Sequence, residues 1–107
     1  MNVREVKAYI HRSRIPDVVD ALHNARFRTL TVVNLAEQSE AKIGREQQVS
    51  GYCPKAGVPE AKLEVFCENE SRTAEAVNLI RVHAKTGLPA SGWIYITTVQ
   101  SCIEIVG

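Results

Sequence analysis

One pattern runs twice through this chain and restricts it to very few folds: a stretch of alternating side chains, a stretch with helical spacing, then a second extended stretch. From Val3 to His11, the apolar Val6, Ala8 and Ile10 alternate with Glu5, Lys7 and Tyr9, the two-residue period of a strand with one face on a core. In Ile15 to Ala25, the residues Ile15, Val18, Val19, Leu22 and Ala25 recur at steps of three and four, which predicts an amphipathic helix. Pro16 and Asp17 mark its first turn, with Ser13 as the candidate cap. The β-branched run Thr29 to Leu35 then predicts a second strand.

The pattern restarts at Ala61. Leu63, Val65 and Cys67 alternate with Lys62, Glu64, Phe66 and Glu68. Asn69 or Ser71 can cap a helix running to about Lys85, with Thr73, Ala76, Val77, Ile80 and Ala84 on one face. Trp93 to Val99 supplies a fourth strand, and Ile103 to Val106 is expected to add an edge strand. The order β-α-β-β-α-β predicts one α+β domain over 1–107 with a ferredoxin-like fold, a four-stranded antiparallel sheet carrying both helices on one face.

Such a sheet leaves its second face bare. That face would carry Lys7 or Arg4, Tyr9, Thr31, Glu64, Phe66, Trp93 and Tyr95, a mixed aromatic and charged surface suited to burial against further copies. Between the two units, Glu37 to Pro59 shows little hydrophobic periodicity. A polar connection longer than about 15 residues is uncommon inside a compact domain and points to a functional segment.

Composition narrows the function. The 107 residues carry 13 basic and 12 acidic side chains, a net charge of +1, so no broad field attracts nucleic acid or an anionic membrane. No apolar run reaches the roughly 20 residues that span a bilayer, and Met1 leads into no signal sequence, so a cytoplasmic protein is expected. Cys53, Cys67 and Cys102 have no CxxC spacing, against both a disulfide framework and a zinc ribbon. No Ser-His-Asp or paired-carboxylate arrangement emerges from the spacing, and Cys53 has no nearby histidine, so no enzyme is expected.

A ligand site is most readily sought at His83 to Ile96. There a helix end gives way to a turn rich in small residues and then to a strand that opens with Trp93. Gly87 and Gly92 permit sharp turning and Pro89 stops the helix, so amide groups are expected to be free for an anion. Trp93 can stack on a base, close an apolar pocket, or fill a core between subunits.

Taken together, Lys7-Ala8-Tyr9-Ile10, Val18-Val19-Asp20-Ala21-Leu22, Leu30-Thr31-Val32, Lys62-Leu63-Glu64-Val65 and the passage from Lys85-Thr86-Gly87 to Trp93-Ile94-Tyr95 resemble the PII signalling family over essentially the whole chain. The resemblance implies a regulatory homotrimer that binds adenine nucleotides in clefts between subunits. It places 37–59 on the partner-binding T-loop and 86–92 on the phosphate-wrapping B-loop. By the same resemblance Thr31, Glu64, Thr86, Gly87 and Gly92 fall on cleft positions, joined by Trp93.

The charged groups of the family's cleft differ here. Trp93 stands where the family has a basic residue, Glu60 replaces a phosphate-facing lysine, and Glu104 and Val106 replace two arginines. Each lost charge-assisted hydrogen bond is worth about 1.5–3 kcal/mol, so the usual ATP and 2-oxoglutarate binding is expected to be lost. The T-loop's modified tyrosine position holds Cys53. The resulting expectation is a PII-like trimer that senses an adenine nucleotide or another small anion and acts through 37–59 on a partner protein, with a membrane transporter as one candidate. Two alternatives stand beside it: a metal-responsive trimer with Cys53 and His11 as candidate ligands for copper or zinc, and a purely structural trimer.

Overall fold

The computed structural model describes residues 3–34 and 61–107. Four strands, β1 (Arg4–Ile10), β2 (Leu30–Asn34), β3 (Ala61–Cys67) and β4 (Gly92–Thr98), form one sheet in the order β2-β3-β1-β4. Every neighbouring pair is antiparallel. Helix α1 (Ile15–Asn24) and helix α2 (Glu70–His83) pack on one face. This is the ferredoxin-like arrangement expected from the order of the elements. The segment 37–59 expected to form a partner-binding arm, Cys53 within it, and Glu60 lie outside the described residues.

The strand alternation sets the layers. Val6, Ala8 and Ile10 of β1 and Leu63, Val65 and Cys67 of β3 are buried beneath Val18 and Leu22 of α1 and Ala76, Ile80 and Ala84 of α2. Val6, Ala8, Val18, Leu22, Leu63 and Val65 are wholly inaccessible, so truncating Leu22 or Leu63 to alanine leaves a cavity costing about 2–5 kcal/mol. Burial raises the Cys67 thiol pKa above its usual value, a shift reduced by a hydrogen bond from Thr73 and by the charge of Arg72. Its thiol is therefore neutral and inert at physiological pH.

The helix ends show which cap residues act. Asn69 caps α2 by accepting the Arg72 amide at 2.8 Å, and its carbonyl accepts the Thr73 hydroxyl at 2.8 Å. Ser13 does not cap α1. It lies in a 3-10 turn, Arg12–Arg14, that His11 caps through Nδ1, while α1 starts with Pro16 in its first turn and no side-chain cap. At the other end of α1, the amide of Phe27 donates to the Leu22 carbonyl and that of Arg26 to His23. This Schellman pattern requires a left-handed residue, and Arg26 supplies it at φ 70°.

The chain's end departs from expectation. Pairing beyond β4 stops at Val99, whose amide donates to the Val3 carbonyl at 3.0 Å, and Ile103 to Val106 form no strand. A return along β4 needs a tight reversal. Val99-Gln100-Ser101-Cys102 contains no Gly, Asn, Asp or Pro to make one.

Candidate functional site

The register of the sheet arranges the helix-free face in rows. Thr31, Glu64, Lys7 and Tyr95 lie side by side across the four strands, and the next row is Val33, Lys62, Tyr9 and Trp93. Lys7 rather than Arg4 occupies this face, because Arg4 falls in phase with the buried Val6. Tyr9 stacks on Trp93 with ring centroids 5.9 Å apart and meets Tyr95 edge-on at 5.8 Å. Around this aromatic cluster, Lys7 lies 3.6 Å from Glu5 and Lys62 lies 3.8 Å from Glu64. Ion pairs of this kind, half exposed and at long range, contribute at most about 1 kcal/mol.

Trp93 is partly buried, and its indole Nε1 is inaccessible and has no hydrogen-bond acceptor among the described residues. Tryptophan N–H groups removed from water ordinarily find one. The face is thus apolar at one edge, charged in the middle and short of an acceptor.

The turn between α2 and β4 is fixed from both sides. Arg14 donates from Nε and Nη2 to the His83 carbonyl, at 3.0 and 2.9 Å, and pairs with Asp17 at 2.9 Å. One guanidinium therefore ties the C-terminal end of α2 to the start of α1. Within the turn, the Thr86 amide donates to Ser91 Oγ at 3.0 Å, and the two hydroxyls lie 2.9 Å apart. The Leu88 amide donates to Thr86 Oγ1 at 3.3 Å. Two amides expected to be free for an anion are thus engaged inside the loop. Sequence alone did not disclose this, although a Thr and a Ser five residues apart across a turn are the signal that could have.

The two glycines serve different ends. Gly87 has φ 88° with open space around it. Gly92 has φ 140°, and a Cβ there would run into the Tyr9 carbonyl oxygen, so its lack of a side chain serves the pairing of β4 with β1.

Within one chain the six candidate ligand residues do not converge. Thr31 and Glu64 are cross-strand partners on β2 and β3, whereas Trp93 lies on β4 at the opposite edge of the sheet. From β2 to β4 is three strand spacings, roughly 14 Å. Thr86, Gly87 and Gly92 accompany Trp93. His11, the candidate metal ligand, spends Nδ1 on Ser13, lying 2.8 Å from its hydroxyl. No group of three metal-ligating side chains occurs among the described residues, and no helix among them is long and apolar enough to cross a membrane.

No family model matches the chain. It is 29% identical over 107 aligned positions to nitrogen regulatory protein P-II 1 of Methanothermobacter thermautotrophicus, covering 96% of this chain and 89% of that one. Its fold superposes on Arabidopsis thaliana PII, solved with citrate bound, with a TM-score of 0.66 and 22% identity over 92% of this chain and 78% of the other. The chain is thus similar in sequence to a PII protein and shares the PII fold. In this PII-like sheet the helix-free face, the self-bonded turn from Thr86 to Ser91 and the Tyr9–Trp93 stack are the features from which a function must be argued.

Proposed function

We propose that this PII-like protein is a regulatory homotrimer that binds a small ligand between subunits and controls a partner protein through 37–59. The observation that carries the reading is the separation of the candidate residues. Thr31 and Glu64 lie at one side of the sheet and Trp93, with the turn before it, at the other. A cleft using both sets forms only where the β2–β3 side of one copy meets the β4 side of the next. Packing copies on the helix-free face also removes the Tyr9, Trp93 and Tyr95 rings from water, a large gain per residue.

The ligand is a small anion or nucleotide held less by charge than in the PII family, because Trp93, Glu60, Glu104 and Val106 stand at positions where the resemblance places cations. ATP with 2-oxoglutarate is therefore not the signal. Ligand capture favours one arrangement of 37–59, and that arrangement is read by the partner, a membrane transporter being one candidate. The protein acts in the cytoplasm and catalyses nothing. The metal-responsive reading would use His11 through Nε2, since Nδ1 is bonded to Ser13, and it draws no support from a cluster, because no group of three metal-ligating side chains occurs among the described residues.

Sedimentation velocity of the full chain tests the assembly, with a trimer expected. Calorimetry against ATP, ADP, AMP, cyclic dinucleotides and citrate tests the cleft. Binding by one of these, weakened tenfold or more by Glu64→Ala and by Trp93→Ala, supports the site. A trimer that takes none of them leaves a scaffold, and a monomer removes the reading.

A further inference from the structure

On the helix side of the sheet, a groove of about 420 Å³ runs between α2 and β4, a volume within the roughly 300–1,000 Å³ of small-molecule sites. Its floor is Gly92, Ile94 and Ile96, the alternate residues of β4 that pair with the buried Ile10, Ala8 and Val6 of β1. Its wall is Val77, Ile80, Arg81, Ala84 and Lys85, whose steps of three and four place them on one face of α2. The groove exists because α2 packs over β1 and β3 while β4 lies at the edge of the sheet. Ile96 is left 53% exposed as a result.

The groove is charged toward one end only. Arg81 and Lys85 stand one helical turn apart near the C-terminal end of α2, both exposed, and neither joins an ion pair among the described residues. Like charges four residues apart on a helix repel, and an anion between them removes that cost. Their place near the helix end suits the helix dipole, which accounts for the charge but not for the apolar cavity beside it. Because a short turn leads from α2 into β4, the Lys85 end lies beside Ser91 and Gly92, and Val77 and Ile96 lie at the other end. Val77 to Lys85 spans about 12 Å of helix, and Gly92 to Ile96 about 13 Å of strand. Four residues of extended backbone contain twelve atoms in line, so an extended aliphatic chain of about twelve carbons matches the floor.

We propose that this groove binds an amphipathic monocarboxylate, an unbranched acyl chain of about ten to fourteen carbons with one anionic head. The tail lies on Ile94 and Ile96 against Val77 and Ile80, and the carboxylate sits between Arg81 and Lys85. Removing the methylenes and Ile96 from water supplies most of the affinity. The two cations are exposed and add less, but they fix which end of the ligand lies at Lys85 and discriminate an acid from an alcohol. The site lies on the opposite side of the sheet from Thr31 and Glu64, so it is separate from the cleft between subunits and does not depend on it.

Calorimetry of the full-length protein with dodecanoate, kept below its micelle concentration, tests the site, and one molecule bound per chain is expected. Dodecan-1-ol, which lacks the charge, is expected to bind about fivefold more weakly, and acetate, which lacks the tail, not to bind. The double variant Arg81→Gln, Lys85→Gln changes only exposed side chains and is expected to weaken dodecanoate by about fivefold with an unchanged far-ultraviolet circular dichroism spectrum. Ile96→Asp is expected to weaken it by about tenfold or more. Absence of binding, several molecules bound per chain, or an affinity unchanged in the double variant overturns the proposal. Sedimentation velocity of the same samples separates it from the assembly proposed above. A trimer that takes no dodecanoate overturns this site alone, whereas a monomer that binds it one to one supports the site and removes the trimer.

Discussion

Gly87 and Gly92 belong to one turn, and a pair of alanine substitutions separates what each does. Both have positive φ, 88° and 140°, so an alanine at either pays a left-handed penalty of about 1–2 kcal/mol, partly offset by the smaller entropy of its unfolded chain. At Gly87 nothing else is added, because no atom lies within 4 Å of a built Cβ. At Gly92 the new methyl would collide with the Tyr9 carbonyl oxygen and lie 3.2 Å from its carbon and 3.3 Å from Ile10 Cα. All three atoms are backbone of the neighbouring strand, which cannot rotate away as a side chain would. Forcing β4 from β1 costs a further 1–3 kcal/mol or so as overpacking. Gly87→Ala is thus expected to lose about 0.5–1.5 kcal/mol and Gly92→Ala about 3–4, a large part of the roughly 5–15 kcal/mol of an ordinary domain. Urea unfolding followed by the fluorescence of Trp93, the only tryptophan, reads both. Equal losses in the two variants, or a loss under about 1 kcal/mol at Gly92, would refute the strand-pairing account and return Gly92 to the ligand.

Arg26→Gly relieves the left-handed strain at the end of α1 and is expected to stabilise the protein by about 0.5–1 kcal/mol, seen as a higher thermal midpoint. Arg14→Ala removes both hydrogen bonds to the His83 carbonyl and is expected to cost about 1–2 kcal/mol, with faster amide exchange from Ala84 to Ser91; unchanged exchange there would show that the turn holds without it. The Cys67 thiol has a pKa raised by burial, so the unfolded chain ionises first as pH rises. Its contribution is whole below about pH 9 and is lost above that, at up to about 1.4 kcal/mol per pH unit. Stability of the wild type relative to Cys67→Ala should therefore fall above that pH, and parallel curves would exclude the effect.

The architecture was legible because its signals are local. Two-residue alternation in Val6-Ala8-Ile10 and Leu63-Val65-Cys67, and the stripe Val18-Leu22, each identify one element and the face it buries, and two strand-helix-strand units leave few ways to share one sheet. Failures occurred where two segments had to be compared. Ser13 has the chemistry of a cap, but it lies inside a 3-10 turn whose cap is His11, with its own amide bonded to His11 Nδ1, and the helix begins two residues later. Ile103 to Val106 has the composition of a strand but pairs with no strand among the described residues. Composition supplies a strand's propensity, but the partner edge decides whether it forms.

The site was harder to read for the same reason, and the turn from Thr86 to Trp93 shows how. Its glycines and small residues suggest a cradle of free amides. Whether an amide is free depends on side chains several residues away, here Ser91 and Thr86, which take the Thr86 and Leu88 amides for themselves. A ligand arriving at this turn must displace those bonds or use other amides, and it meets an apolar indole where a cation would repay the exchange. On the proposed ligand reading, the turn disfavours a highly charged phosphate chain and favours a ligand that gains from contact with Trp93. Trp93→Lys supplies the missing cation without touching the loop's own bonds. It is expected to tighten ADP binding by threefold or more while weakening the Tyr9 stack, with calorimetry reading the first and near-ultraviolet circular dichroism the second. An unchanged or weaker affinity for ADP would show that the self-bonded loop, and not the lost charge, keeps phosphates out.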